Sequence, residues 1–282
     1  MSHLGELALR AYVGLLPKHP LSNRAVSSVS YHHWQYETSA AMFSSLPQFD
    51  FQDKRILDLG CGLGGRAAWL ARKGAREAVG IDINAAEIGE ASRLRDGLYP
   101  DLTNLWYYHC KEDEHISSLG EFDLVLLLDS LEHVVSPLKI LRLARKYVRP
   151  GGKVYFTTLG WYHHYGSHMG IPFATVFFSD ETIVNFTRWQ IRRPDYKPTI
   201  WDSDPPTARW EGVYDLRDRP GEYLNKITIR QMKKLVKYSP FLRGRVVVLG
   251  FRRAHLRWLN PLRHVPILNE VFHSGVVGIL ET

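Results

Sequence analysis

The sequence predicts an α/β protein: a doubly wound, seven-stranded, mostly parallel sheet with an inserted cap. Three observations predict it. Short apolar runs alternate with helical patterns from residue 55 to residue 159. The run Phe122–Asp129 (FDLVLLLD) is apolar almost throughout, as a strand buried on both faces must be. A glycine-rich segment follows the first apolar run and opens a helix, where a ligand meets the carboxyl edge of a parallel sheet.

The elements follow in order. The first fifty residues read as mostly helical, and YHHWQYETSAAMFSSL, from Tyr31 to Leu46, is rich in aromatic side chains. Arg55–Gly60 (RILDLG) is the first strand, Arg66–Lys73 a helix, Ala78–Ile83 (AVGIDI) the second strand and Ala85–Leu98 the second helix. Leu105–Cys110 and Phe122–Asp129 are the third and fourth strands. In 137–148, Leu138, Leu141, Ala144 and Val148 face inward while Lys139, Arg142, Arg145 and Lys146 face outward, with Pro137 in the first turn, so this is a surface helix. Pro150-Gly151-Gly152 turns the chain into a fifth strand, Lys153–Leu159. The alternation then breaks. Residues 160–226 lack clear periodicity yet hold Trp161, Trp189, Trp201 and Trp210, and a stretch this long between ordered elements reads as a functional cap. Thr228 caps a helix to Ser239, Arg245–Phe251 (RVVVLGF) is the sixth strand, and Gly275–Glu281 (GVVGILE) is the seventh, antiparallel to it, with residues 252–274 as a second excursion. The resulting organisation is a helical lid (1–50), a ligand-binding core (51–160), the cap (161–226) and a C-terminal completion of the sheet (227–282).

At 282 residues and 45% hydrophobic, the chain supports one sizeable core plus a cap. No apolar run is long enough to span a membrane, and Glu6 and Arg10 interrupt the N-terminal apolar pattern, so a signal peptide is not expected. Two cysteines, Cys61 and Cys110, argue against a disulfide framework and fit a reducing cytoplasm. The net charge of +7 fits either a solvated basic surface or a patch for an anionic partner. A homo-oligomer is left open.

The loop Asp58-Leu59-Gly60-Cys61-Gly62-Leu63-Gly64-Gly65 also satisfies the dinucleotide pattern through Gly60, Gly62 and Gly65, with Asp82 at the second strand's end as a ribose acid. Asp58 opposes that reading. A carboxylate about 6 Å from a pyrophosphate charge costs roughly 3 kcal/mol at an effective dielectric near 20. Next to a sulfonium and an ammonium the same acid is favourable.

These residues carry a resemblance. Lys54–Asn84 resembles the first two motifs of class I S-adenosylmethionine-dependent methyltransferases. Phe122–Val125, Asp129-Ser130-Leu131-Glu132-His133-Val134 and Arg149-Pro150-Gly151-Gly152-Lys153 resemble later motifs in the right order. The resemblance implies the Rossmann-like methyltransferase fold, S-adenosylmethionine as cofactor and a small-molecule acceptor. It implies that Asp58, Gly60, Cys61, Gly62 and Gly64 line the methionine part, that Asp82 holds the ribose, that Ile83 packs on adenine, that Glu112 meets the adenine amine, and that Asp129 lies near the sulfonium. Outside those motifs, Tyr31, Trp34 and Tyr36 either form an N-terminal lid over the cofactor or pack as helix-core aromatics.

The acceptor site belongs over the same edge, under the cap. Trp161-Tyr162-His163-His164-Tyr165-Gly166-Ser167-His168 starts that cap, and His168, His164 and Tyr165 are the candidate catalytic residues, a histidine serving as base. Adjacent histidines on one loop rarely converge on an ion, so no metal is expected. The aromatic cap suggests a partly apolar acceptor, such as a metabolite of secondary metabolism, methylated on oxygen, nitrogen or carbon. The alternatives are a C-methyltransferase or cyclase acting on a prenyl or indole substrate, a nicotinamide oxidoreductase, a protein that keeps the cofactor without turnover, and a nucleic-acid methyltransferase. The last is disfavoured because Asp129-Ser130-Leu131-Glu132 stands where base-modifying enzymes carry an Asn or Asp followed by two prolines and an aromatic.

Overall fold

The computed structural model describes residues 2–16, 27–111, 114–164, 171–194 and 225–282. All seven expected strands are present in one sheet: β1 (Arg55–Leu59), β2 (Glu77–Asp82), β3 (Leu105–His109), β4 (Phe122–Leu128), β5 (Val148–Thr158), β6 (Arg243–Leu249) and β7 (Gly275–Glu281). Their order is β3-β2-β1-β4-β5-β7-β6, and β7 alone runs against its neighbours. From β1 the chain winds outward through β2 to β3, then returns to place β4 on the other side of β1. The crevice between the carboxyl ends of β1 and β4 is therefore the switch point at which such sheets bind ligands.

Successive residues of a strand face opposite sides, and the core divides accordingly. Ile56, Ala78, Leu105, Leu126 and Tyr155 pack beneath α3 (Gly65–Arg72) and α4 (Ala85–Leu98), with Phe43 of α2 (Ser28–Phe43). Leu57, Val79, Ile81, Val125 and Leu127 pack beneath α5 (Pro137–Tyr147) and α8 (Ile229–Tyr238). Between the two in sequence lie the cap helices α6 (Ala174–Phe177) and α7 (Asp180–Ile191). Leu9 and Val13 of α1 (Ser2–Gly14) join Trp161, Ile171, Ile183 and Phe186 in a third core, so α1 packs on the cap while α2 packs on the central fold.

Local chemistry accounts for the boundaries. Thr228 and Gln231 cap α8 reciprocally: the Thr228 hydroxyl accepts from the Gln231 amide at 3.2 Å, and the Gln231 side chain accepts from the Thr228 amide at 2.7 Å. Pro137 opens α5 where its missing N–H costs nothing. Two expectations shift. β5 starts at Val148 and runs through Pro150-Gly151-Gly152 with a register irregularity opposite Phe122/Leu124, rather than beginning at Lys153. The cap contains α7, whose start is marked by Ser179 accepting from Thr182 and by Asp180 and Glu181 in the first turn. Trp201 and Trp210 lie outside the described residues. Cys61 and Cys110 are both buried free thiols. Among the described residues no helix is long and apolar enough to cross a membrane.

Candidate active site

The site grows from the turn between β1 and α3. Gly60 and Cys61 both donate their amides to Ile81 O, at 2.8 and 3.2 Å, which ties the loop to the tip of β2. Gly60 has φ +86°, and a Cβ there would stand 2.7 Å from the Ser130 hydroxyl at the end of β4. Gly64 has φ +75°, and its Cβ would meet the Tyr107 ring at 2.3 Å. Only glycine passes between these two side chains. The Tyr107 hydroxyl then donates to Gly64 O at 2.7 Å and fixes the loop from below.

Asp82 ends β2 and braces the loop. One carboxylate oxygen accepts from the Gly62 amide at 2.8 Å, the other from the Asn84 amide at 2.9 Å. Each oxygen keeps further acceptor capacity at the mouth of the loop. The neighbouring Ile83 is exposed at this edge. Cys61 is buried beneath the loop, its thiol pushed well above the usual range by burial, so it packs rather than reacts.

Asp58 lies deeper than the charge argument from the sequence assumes. It is only 2% exposed, and burial raises its carboxyl to about 7, opposed by Arg66 and reinforced by Asp82 and Asp129. Among the described residues its Oδ1 has no hydrogen-bond partner. Arg66, on the first turn of α3, donates to Asp129 at 2.8 Å and to Leu128 O at 3.2 Å. Asp129 sits in the left-handed region with φ +54° and also accepts from the Thr157 hydroxyl at 2.9 Å. Glu132, a turn later, is buried and its carboxyl pushed upward by that burial and by Asp129. Asp58, Asp129 and Glu132 thus share the field of one guanidinium.

α2 closes the loop from above. His32 is buried with Nδ1 at 2.7 Å from Leu63 O and Nε2 at 3.1 Å from the Tyr99 hydroxyl. The Gln35 side chain accepts from the Gly65 amide at 3.1 Å. Tyr31, at the start of α2, stacks on Trp34 and is an electrostatic neighbour of Arg66.

A second group of expected site residues begins where β5 ends. His163 is buried and its Nε2 donates to His273 O at 3.1 Å. The His164 ring lies 3.9 Å from that of His163 and 5.9 Å from those of Phe173 and Phe251. Burial and then the Arg253 charge lower His164 to about 4, and burial lowers His273 to about 4. The structure therefore brings Asp58, Gly60, Cys61, Gly62, Gly64, Asp82, Ile83, Asp129, Tyr31 and His164 to one edge. Glu112, Tyr165 and His168 lie outside the described residues. His32, Gln35, Arg66 and His273 were not anticipated. Arg66, beside the glycines on the first helical turn, is the one whose position in the sequence gave a signal. Among the described residues no cluster of three or more His, Cys, Asp or Glu side chains is arranged to hold a metal ion.

Residues 31–203, more than half of the chain, match the family described as "Methyltransferase domain". The chain belongs to that family. The class I S-adenosylmethionine-dependent resemblance is borne out in family and in fold. The chain is 37% identical over 107 residues to a ubiquinone biosynthesis O-methyltransferase of Aromatoleum aromaticum, covering 38% of this chain and 44% of the relative. It is 38% identical over 109 residues to the protein of the same name from Aeromonas salmonicida, covering 38% and 43%. The match thus spans less than half the length of these curated relatives. A SAM-dependent methyltransferase from Archaeoglobus fulgidus superposes with a TM-score of 0.51 at 14% identity, over 88% of this chain and 94% of that one, a likeness of fold.

The residues present fit S-adenosylmethionine. The glycines let the turn pack against Ser130 and Tyr107 at the carboxyl edge of the sheet, among the described residues Asp58 keeps a buried carboxylate oxygen without a hydrogen-bond partner beneath it, and the surrounding side chains are acidic. A diphosphate at this turn would lie near the carboxylates of Asp82 and Asp129, and Arg66 is already engaged by Asp129.

Proposed function

We propose that this methyltransferase transfers the methyl group of S-adenosylmethionine to an oxygen of a small, partly apolar acceptor. The observation that carries the reading is Asp82, whose carboxylate braces the glycine loop and still has acceptor capacity for two ribose hydroxyls, over an edge of buried acids suited to a cation. Gly60, Cys61, Gly62 and Gly64 would contact the methionine part, Ile83 the adenine, and Tyr31 the cofactor from above. Asp129, held by Arg66 and Thr157, would face the positive end. When bound, the cofactor supplies a methyl carbon made electrophilic by sulfonium.

The remaining tasks fall to the chain: hold the acceptor in line, exclude water and receive a proton. His164 is held neutral by burial, so its ring can accept from an acceptor hydroxyl. Its low basicity favours a hydroxyl that loses its proton readily. Phe173 and Phe251 beside it offer apolar surface to the rest of the acceptor. Oxygen is favoured over nitrogen and carbon because the curated relatives are named as O-methyltransferases.

The test is direct. Methyl-labelled S-adenosylmethionine is incubated with the protein and a panel of hydroxyl, amine and carbon acceptors. Label appearing on hydroxyl compounds supports the reading, and label confined to amines or carbon refutes the choice of oxygen. A calorimetric titration with S-adenosylhomocysteine that shows no binding refutes the cofactor assignment.

A further inference from the structure

We propose that the excursion between β6 and β7 docks this protein on an anionic lipid surface. Its exposed residues combine two features. The first is exposed apolar area. Trp258 is 73% exposed and Ile267 82%, and Val265 and Leu268 are exposed beside them in sequence. The Trp258 indole N–H donates to His255 O at 3.0 Å, so its one polar atom is satisfied locally and the ring is left to the outside. Ile267 holds φ +76°, a conformation a β-branched side chain rarely accepts, and it does so while presenting its side chain to solvent. Core packing cannot account for strain at an exposed apolar residue, which points to a partner.

The second feature is unopposed positive charge. Arg253 and Arg257 are exposed and form no ion pair among the described residues, Arg253 lying close enough to His164 to act on its charge, whereas the exposed Arg252 donates to Ala41 O and Ser44 O at the end of α2, both at 3.3 Å. Glu270 is the only acid between residues 251 and 274. It is turned inward, accepting from the amides of Ile229 and Arg230 at 2.7 and 3.0 Å, where it caps α8. What remains outside is arginine and apolar side chain.

This chemistry selects the occupant. A second copy would set arginine against arginine in a chain already at +7. A nucleic acid would use the arginines and leave Ile267 and Val265 without a partner. A bilayer with acidic headgroups uses both, phosphates meeting the guanidinium groups while Trp258 and Ile267 enter the headgroup–acyl boundary.

The location gives the contact a use. Leu249 pairs with Gly275 and Thr158 with Val276, so the excursion leaves from the sheet edge that carries the glycine loop. Phe251, at its base, lies against His164. Docking there turns the acceptor side of the site toward the membrane. The inference goes beyond the chemistry proposed above and does not depend on it.

The experiment is flotation of the full chain with vesicles of phosphatidylcholine, alone or with about one-third phosphatidylglycerol. Binding is expected only to the anionic vesicles, with release by salt. The double variant Trp258→Ser/Ile267→Asn should bind at least about tenfold more weakly. Asn tolerates the left-handed backbone, so this variant is expected to fold, as unchanged thermal unfolding would show. Arg253→Glu/Arg257→Glu should lose binding and Arg253→Lys/Arg257→Lys should keep it. The proposal is overturned if the native chain ignores anionic vesicles, if the apolar double variant binds them as the native chain does, or if Trp258→Ser instead dissolves a dimer seen by ultracentrifugation. Tight binding of duplex nucleic acid without vesicle binding also overturns it. Calorimetry with S-adenosylhomocysteine reads the cofactor assignment separately, so each can fail alone.

Discussion

The imidazole of His32 reaches from α2 to within 2.7 Å of the Leu63 carbonyl, so a helix outside the central sheet holds the glycine loop by its backbone. The other ring nitrogen meets the Tyr99 hydroxyl, and burial holds the ring below its ordinary titration range. His32→Ala removes two buried hydrogen bonds and opens a void. A loss of roughly 2–4 kcal/mol in denaturant unfolding is expected, with weaker S-adenosylhomocysteine binding. Unfolding free energies equal to the native chain's would show that the clamp is incidental.

Asp82→Ala should weaken S-adenosylhomocysteine binding by roughly 1–3 kcal/mol, because it deletes the acceptor for the Gly62 amide along with the proposed ribose contacts. Asp82→Asn should fall between, since its oxygen still accepts one N–H. Calorimetric affinities indistinguishable among the three proteins would contradict the ribose role.

Gly64→Ala forces a Cβ into the Tyr107 ring at a left-handed residue. Destabilisation above about 2 kcal/mol is expected, and Tyr107→Phe, which keeps the ring and loses one hydrogen bond, should cost about 1 kcal/mol. If Gly64→Ala lowers the melting temperature no more than Tyr107→Phe does, the steric account fails.

Stability should depend on pH in two opposed ways. His164 and His273 sit near 4 when folded and near 6.5 when unfolded, so the unfolded chain takes up more protons and stability falls as pH drops from 6.5 toward 4. Asp58 sits at about 7 when folded against 3.8 when unfolded, and Glu132 is also raised. There the folded chain holds the extra proton, so stability falls as pH rises from about 4 through 7. Below 6.5 the two trends oppose each other, and above it only the acids act. Between pH 6.5 and 8 a decline on the order of 1 kcal/mol is expected, smaller in Asp58→Asn. Denaturant titrations at several pH values check this, and a rise with pH in that window would reverse the assignment.

His164→Gln should lower methyl transfer by about a hundredfold with little effect on S-adenosylhomocysteine affinity. Undiminished turnover on a hydroxyl acceptor would remove His164 as the proton acceptor.

The central sheet was legible because each strand and helix carries its own period, and the turn from Asp58 to Gly65 states its backbone needs in glycines. The clamp was not. α2 buries His32, Gln35, Ser39 and Phe43, a helical stripe made mostly of polar side chains, so a search for apolar periodicity passes over it. The left-handed turn at Asp129 leaves no glycine to announce it, since an aspartate pinned by Arg66 and Thr157 takes that place. α7 was missed because Trp161 and Trp189 read as part of an aperiodic aromatic cap, whereas with Phe186 they pack with α1 from the far end of the chain. Such long-range partners are absent from any local pattern. The depth of Asp58 was also hidden, because spacing gives a residue's place along the strand and not its distance from water.

The position of β7 carries a consequence for biosynthesis. It lies between β5 and β6 and, among the described residues, is the only strand that pairs with β6. A nascent chain that has emerged only through Leu249 holds β6 with no neighbour and β5 with one unpaired edge. β7 must thread between them before either is protected, so the sheet stays unsealed until the segment after residue 274 has emerged. Until then two sticky edges stand open to other chains, and this interval is when the protein is most exposed to aggregation or to a chaperone.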